Sequence, residues 1–318
     1  MEKWVVTGAA GFIGSNLVEK LLSLGRRVVG VDNFSTGRRE NIDAALAGLD
    51  PKDRSRFSLI EGDIRSFDLC ADACESASVV LHHAALISVP LSLECPGETF
   101  GINGGGFLNI LEAARLRSCR VVYASSSAVY GDHPELPKRE TSPLAPLSPY
   151  GLSKMENEQW ANLYWKRYGV PTIGLRYFNV YGPRQDPKGA YAAVIAAWAE
   201  ALRSGRSTTV YGDGSQTRDF CFVSDVVQAN LLAGSVEDPA AFGEVFNIAT
   251  GRSVTLLELH DALSRAIGPQ GEKSPSFAPP RPGDILHSAA DISKARSLLG
   301  FSPRFPLDEG LRSFFAYS

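Results

Sequence analysis

Lys3-Trp4-Val5-Val6-Thr7-Gly8-Ala9-Ala10-Gly11-Phe12-Ile13-Gly14 runs from an apolar, β-branched segment through three glycines into a helical pattern. The helical segment, Phe12–Leu24, puts Ile13, Leu17, Leu21 and Leu24 on one face. Strand, tight turn and helix start are the parts of a phosphate-binding turn. Gly8, Gly11 and Gly14 let backbone approach a pyrophosphate, and the first amides of the helix, at Phe12 and Ile13, carry free N–H groups and a partial positive charge. Taken alone, a tight turn without a ligand reads equally well. What tips the reading is Asp32, at the end of the next strand and about 20 residues past the glycines, where a carboxylate accepts hydrogen bonds from an adenosine ribose. A carboxylate there repels a 2′-phosphate, so NAD is expected rather than NADP. Arg38 and Arg39 lie near but off the strand end. Asp63, in Gly62-Asp63-Ile64, is placed to receive an adenine amino group or simply to make a turn.

Outward from this unit, Val28–Val31, Phe57–Ile60, Val79–Leu81, Arg120–Ala124 and Thr172–Arg176 read as further strands, with helical segments such as Phe107–Leu116 between them. That alternation predicts a doubly wound parallel Rossmann sheet, an α/β fold with helices on both faces. Residues 1–180 are read as the dinucleotide-binding domain. Beyond them come Pro183, Pro187, an Ala-rich helix over Ala190–Arg203 and a Pro-rich stretch at Pro275–Pro282, so residues 181–318 are read as a smaller α/β substrate lobe. Val245–Ile248 is expected to return to the main sheet as one more strand.

The net charge of −3 offers no footprint for nucleic acid. The first strand begins too close to Met1 for a signal peptide, and no apolar run approaches the roughly 20 residues of a membrane span, so a soluble cytoplasmic protein is expected. Five cysteines without a C-x-x-C pair are read as reduced thiols. No metal is expected. His82-His83 are neighbours on a strand and point to opposite faces, which suits the lining of a cofactor loop at Ala84-Ala85 better than a metal site.

Tyr150-Gly151-Leu152-Ser153-Lys154 sets a phenol and an ammonium at i and i+4, on one face at a helix start. A neighbouring lysine cation and a positive nicotinamide ring would both lower the phenol pKa and let Tyr150 act as a base. Upstream, the fifth strand runs out in Ala124-Ser125-Ser126-Ser127, at the strand ends where doubly wound sheets hold ligands.

The glycine turn, Asp32, Ser126 and the Tyr150/Lys154 pair resemble the extended short-chain dehydrogenase/reductase family over nearly the whole chain. Within it, Asp32–Gly37, Tyr130–Pro134, Arg176–Asn179 and Arg281–Asp284 are similar to the UDP-hexose 4-epimerases, most of all those acting on UDP-N-acetylglucosamine. The resemblance implies tightly bound NAD, with Asn33, Ser35, Thr36, Gly37, Ile64, Ala84, Ala85 and Tyr177 among its contacts. It implies that Ser126 holds the sugar 4′-hydroxyl, Tyr150 removes its proton and Lys154 binds the nicotinamide ribose. Ser88 and Ser127 are assigned to the sugar pocket, and Asn179, Arg218 and Arg281 to the diphosphate. Ala193, Val194, Thr209 and Tyr211 would surround the uridine, with Asp284 at its ribose. Ser288 stands where galactose-only relatives carry a large aromatic residue, so room for an N-acetyl group is expected.

Two other readings compete. A 4,6-dehydratase or decarboxylase on the same scaffold would need carboxyl groups just after Ser126, where Ser127 and Ala128 stand. A dinucleotide-binding sensor without turnover would have no use for Tyr150 and Lys154 together. For Arg218 beside Asp219, a plain surface ion pair is the alternative. Gly104-Gly105-Gly106, next to a helix start, and Ile87, near Ser88, have no ready explanation. Phe107–Leu116 and Leu152–Tyr168, the latter with Trp160, Tyr164 and Trp165, resemble the helices of the family's dimer interface, so a homodimer is expected.

Overall fold

The computed structural model describes residues 2–186, 194–269, 273–280 and 286–316. The β-branched runs fold as strands β1 (Lys3–Thr7), β2 (Arg27–Asp32), β3 (Phe57–Glu61), β4 (Val79–His82), β5 (Arg120–Ser126) and β6 (Thr172–Tyr177). Further strands follow: β7 (Val180–Tyr181), β8 (Thr209–Tyr211), β9 (Thr217–Asp219), β10 (Cys221–Phe222), β11 (Glu244–Ile248), β12 (Ser253–Thr255) and β13 (Ser276–Ala278). Among the described residues the main sheet is parallel and seven-stranded, in the order β11–β6–β5–β4–β1–β2–β3. The chain leaves β1 toward β3 and then crosses to β4 on the other side, which opens a crevice at the carboxyl ends of β1 and β4.

Both faces of the sheet are covered, which is why β1 and β6 are buried without alternation. Helix Phe12–Ser23 packs Leu17, Leu21 and Leu22 on one face together with helix Val223–Ser235; helices Phe107–Arg117 and Pro149–Tyr168 supply Ile110, Leu111, Ala161 and Tyr164 to the other. Leu24, expected on the buried face of the first helix, is instead its exposed C-cap, and Val18 and Leu22 complete the apolar stripe. A separate core joins helices Val194–Arg203, Leu256–Ile267 and Leu307–Ala316 through Trp198, Leu202, Leu259, Leu263, Leu311 and Phe314. The first four residues expected in the Ala-rich helix lie outside the described residues.

Two glycines of the run, Gly104 and Gly106, have a packing reason. Gly101–Gly106 form a π-helical turn, where a side chain on Gly106 would put its Cβ 2.5 Å from Ile64 Cδ1, and one on Gly104 would press on the Phe100 ring at 3.2 Å. The five cysteines are free, and four of them are buried. Among the described residues no helix is long and apolar enough to cross a membrane.

Candidate active site

At the crevice, Gly8 adopts φ +67°, and a Cβ there would lie 2.8 Å from the Ala84 amide nitrogen. A Cβ on Gly14 would fall 1.9 Å from the Gly8 carbonyl, so only glycine lets the helix start sit on the turn. Gly11 is the N-cap and offers no side chain, leaving the first amides of the helix without a side-chain partner and the helix end without an acidic residue. Asp32 is buried at the end of β2, where its carboxylate accepts from the Ala10 and Phe34 amides at 2.8 Å each. Gly37 closes over it: a Cβ would lie 2.8 Å from Asp32 Oδ1.

Asn33, Ser35 and Thr36 are exposed along this rim. The Asn33 side chain accepts from the Ser35 amide and donates to Asp63 at 2.9 Å. Asp63 is also gripped by Arg65, whose fork holds its carboxyl down to about 2. Ile64 is buried, and its carbonyl accepts from Asn109. Arg38 pairs with Asp186, and Arg39 pairs with Glu61 while lying over the Phe34 ring, so both near-by cations have partners of their own.

Thr7 stitches the crevice floor. Its hydroxyl accepts from the His83 and Ala84 amides at 3.1 Å each and meets His82 Nδ1 at 2.8 Å, fixing the Ala84-Ala85 loop. His83 Nε2 faces the Tyr177 hydroxyl at 2.9 Å, and Asn230 donates to the same oxygen. The two histidine rings thus have different partners. Burial brings His83 down to about 3 and His82 well below its ordinary value, so both are neutral at pH 7.

Tyr150 and Lys154 stand in the first turns of helix Pro149–Tyr168, which Ser148 caps by accepting from the Gly151 amide at 3.1 Å. Ser126 ends β5 and caps the following 3-10 turn, Ser127–Tyr130, by accepting from the Ala128 amide. Gly151 permits the two to meet: a Cβ there would lie 2.8 Å from the Ala128 carbonyl oxygen. Burial raises the Tyr150 phenol above its ordinary value, and the Ser126 side chain pulls the other way. The expected depression of the phenol rested on Lys154 and on a bound nicotinamide ring, and burial acts against both. Lys154 Nζ is 5.9 Å from the centre of the Tyr150 ring and donates to the Ala124 carbonyl at 2.9 Å. Burial also brings the Lys154 ammonium down to about 8.

Residues 4–249 match the sequence profile of the NAD dependent epimerase/dehydratase family. The chain belongs to that family. It is 43% identical over 310 residues to a UDP-glucose 4-epimerase of Mycolicibacterium smegmatis, covering 96% of this chain and 95% of the relative. Among solved structures, it resembles a UDP-N-acetylglucosamine 4-epimerase from Methanobrevibacter ruminantium in complex with UDP-N-acetylmuramic acid, with TM-score 0.91, 34% identity, and 99% and 97% of the two chains covered. It also resembles the Thermus thermophilus UDP-glucose 4-epimerase in complex with NAD, with TM-score 0.84, 35% identity, and 99% and 98% covered.

NAD is the cofactor of this family member, and the residues fit it. The uncapped helix start suits a pyrophosphate, and the Asp32 carboxylate on the β2 end suits a ribose diol. Of the residues assigned to the sugar nucleotide, Ser88 caps helix Val89–Glu94 by accepting from the Leu91 amide. The Asn179 side chain donates to the Asp219 carbonyl at 3.3 Å, beside β9. Arg218 does not form the alternative ion pair with Asp219. Asp219 is buried and accepts from Thr250 and Gly251, while Arg218 donates to the Thr217 carbonyl at 2.9 Å. Ser288 is half-buried against β9, its amide donating to the Thr217 carbonyl. Thr209 and Tyr211 bound β8, and Val194 opens its helix. Ala193, Arg281 and Asp284 lie outside the described residues.

Several residues of the site escaped the sequence reading. Asn103, buried in the π-helical turn, exchanges both amide hydrogen bonds with the backbone of Leu86 and donates to Ser153 at 3.0 Å. It joins the loop after β4 to the helix of Tyr150. Thr7 and Gly151 were missed as well. Only Gly151, inside the quoted Tyr-Gly-x-Ser-Lys segment, carried a signal, since glycine in the first turn of a helix lacks a propensity reason.

Proposed function

We propose that the chain inverts C4 of a UDP-hexose, with UDP-GlcNAc/UDP-GalNAc as one pair and UDP-Glc/UDP-Gal as another. The observation that carries the reading is the placing of Tyr150 and Lys154 one turn apart at the start of their helix, with Ser126 at the carboxyl end of β5. Ser126 would hold the sugar 4′-hydroxyl while Tyr150 takes its proton, leaving a transient 4-keto sugar. Bound NAD supplies the hydride acceptor and donor. Lys154 would bind the nicotinamide ribose and keep a cation behind the phenol. Burial raises the Tyr150 pKa, so the positive charges of Lys154 and of an oxidised nicotinamide would both favour the phenolate and couple proton removal to a loaded crevice.

In this reading residues 1–180 serve mainly the cofactor and 181–318 mainly the nucleotide sugar. Asn179, Arg218 and Arg281 would hold the diphosphate, and Val194, Thr209, Tyr211 and Asp284 the uridine, while the keto sugar turns about its diphosphate linkage. Ser288, being small, leaves room at C2 for an N-acetyl group. A homodimer is supported by the outer face of helix Pro149–Tyr168, where Leu152, Trp160 and Leu163 are exposed, next to exposed Phe100. Gly97, Gly101 and Gly105, at four-residue spacing, have open space where a Cβ would stand. Tyr164 and Trp165 serve the chain's own packing, against Glu112 and Phe242. Free cysteines suit the cytoplasm.

The test is incubation of purified protein with UDP-GlcNAc and with UDP-Glc, without added NAD, resolving products by chromatography and NMR. UDP-GalNAc in the first mixture supports the acetylated pair and retained cofactor. No conversion of either, even with NAD supplied, defeats the reading.

A further inference from the structure

The parallel registers of β5, β6 and β11 set Ser125, Arg176 and Asn247 side by side, one row before Ser126, Tyr177 and Ile248 at the crevice edge. In the middle of an apolar sheet this row is polar and wholly buried: Ser125 and Arg176 are 2% exposed and Asn247 is 0% exposed. Above it, Glu158 follows Tyr150 and Lys154 at i+8 and i+4 on one face of their helix. Its carboxylate accepts from the Ser125 hydroxyl at 2.5 Å and from both sides of the Arg176 fork at 2.8 and 2.7 Å. Arg176 donates onward to the Tyr130 hydroxyl at 2.7 Å, and Tyr130 donates to Asn247 at 2.6 Å.

A buried ion pair of this kind is seldom more stabilising than apolar side chains of the same volume, so stability is a poor reason for it. Position is a better one. Successive side chains of a strand point to opposite faces, so the alternation that turns Ser125 toward the helix turns Ser126 away from it, into the crevice. Whatever fixes the Ser125 side chain therefore fixes the twist and height at which Ser126 emerges. The fixing group belongs to the helix that carries Tyr150.

We propose that Ser125 and Glu158 are positioning residues: their hydrogen bond, braced by Arg176, sets Ser126 against Tyr150. The inference rests on Tyr150 as base and Ser126 as its partner. The step it serves is proton transfer, which needs heavy atoms within hydrogen-bond reach and is sensitive to displacements of a fraction of an ångström. Binding of cofactor and sugar nucleotide draws mainly on groups away from Ser126, which holds only the 4′-hydroxyl, and should change little.

Ser125→Ala tests this without unpairing Glu158, which keeps Arg176. Expected is a kcat for UDP-hexose epimerisation lower by about tenfold or more, with KM, bound NAD and thermal midpoint close to the parent values. Ser125→Thr, which restores the hydroxyl, should recover most of the rate. Parent kcat in Ser125→Ala overturns the proposal. So does a loss of rate that follows loss of bound NAD or of thermal stability, or one that Ser125→Thr does not repair, since either marks a merely structural role. Tyr150→Phe is measured in parallel. If it is inactive while Ser125→Ala turns over normally, only the positioning role fails; if it retains the parent rate, the assignment of the base fails and the proposal with it.

Discussion

Gly151→Ala asks how close the helix of Tyr150 must come to the turn below it. Alanine is the better helix former by about 1 kcal/mol, so propensity alone favours the substitution. Its Cβ, however, would stand 2.8 Å from the Ala128 carbonyl oxygen and 3.1 Å from Pro146 Cβ. Reaching an ordinary contact of 3.4 Å from that oxygen requires a retreat of about 0.6 Å. That backbone carbonyl belongs to the 3-10 turn that Ser126 caps, so the retreat opens the gap between Ser126 and Tyr150. A shift of this size is expected to cost between about tenfold and a hundredfold in kcat. Overpacking costs roughly 1–3 kcal/mol, less the propensity gain, so the thermal midpoint should fall by only a few degrees. The assay is steady-state epimerisation of UDP-Glc and UDP-GlcNAc, with bound NAD measured after denaturing release. An unchanged kcat would show that the contact between helix and turn does not set the reacting geometry.

Tyr150→Phe should retain bound NAD and UDP-sugar while epimerisation slows by about 10²–10⁴, read by product NMR. Lys154 offers a pH test. Its folded pKa of about 8 lies below the model-compound value of 10.5, so the unfolded chain binds more protons between those limits and stability rises with pH across them. Lys154→Met should remove that rise, which is worth up to roughly 3 kcal/mol between pH 8 and 10.5 in denaturant titrations at matched cofactor content. Ser288→Tyr should lower turnover of UDP-GlcNAc relative to UDP-Glc by about tenfold or more, measured as the ratio of kcat/KM; an unchanged ratio would remove Ser288 from the C2 pocket.

The sheet was legible because a parallel, doubly covered sheet demands apolar β-branched runs, and Lys3–Thr7 or Thr172–Arg176 can hardly fold otherwise in this context. Val245–Ile248 was legible for the same reason, despite its distance in the chain. Strands such as β7 and β10, two residues each, have no length over which a period could show. Buried polar residues were the harder loss. Glu158, Asn103 and Thr7 look in sequence like surface positions, and only the third dimension reveals their partners. The opposing effect of burial on Tyr150 was not legible, because i, i+4 spacing places Lys154 on the right face without stating that its ammonium turns to the Ala124 carbonyl. Leu24 was misplaced because a helix period says nothing of where the helix stops.

The return of β11 to the edge of the sheet has a consequence for biogenesis. On a ribosome, the first six strands emerge well before Glu244–Ile248, and until that strand arrives β6 presents a fully buried-type edge with its backbone unpaired and the Arg176 side chain without Asn247 nearby. Such an edge is a template for pairing with another chain. The nascent protein must therefore carry an adhesive strand through synthesis of more than sixty further residues, and a fragment cut near residue 180 should aggregate rather than persist as a free nucleotide-binding domain.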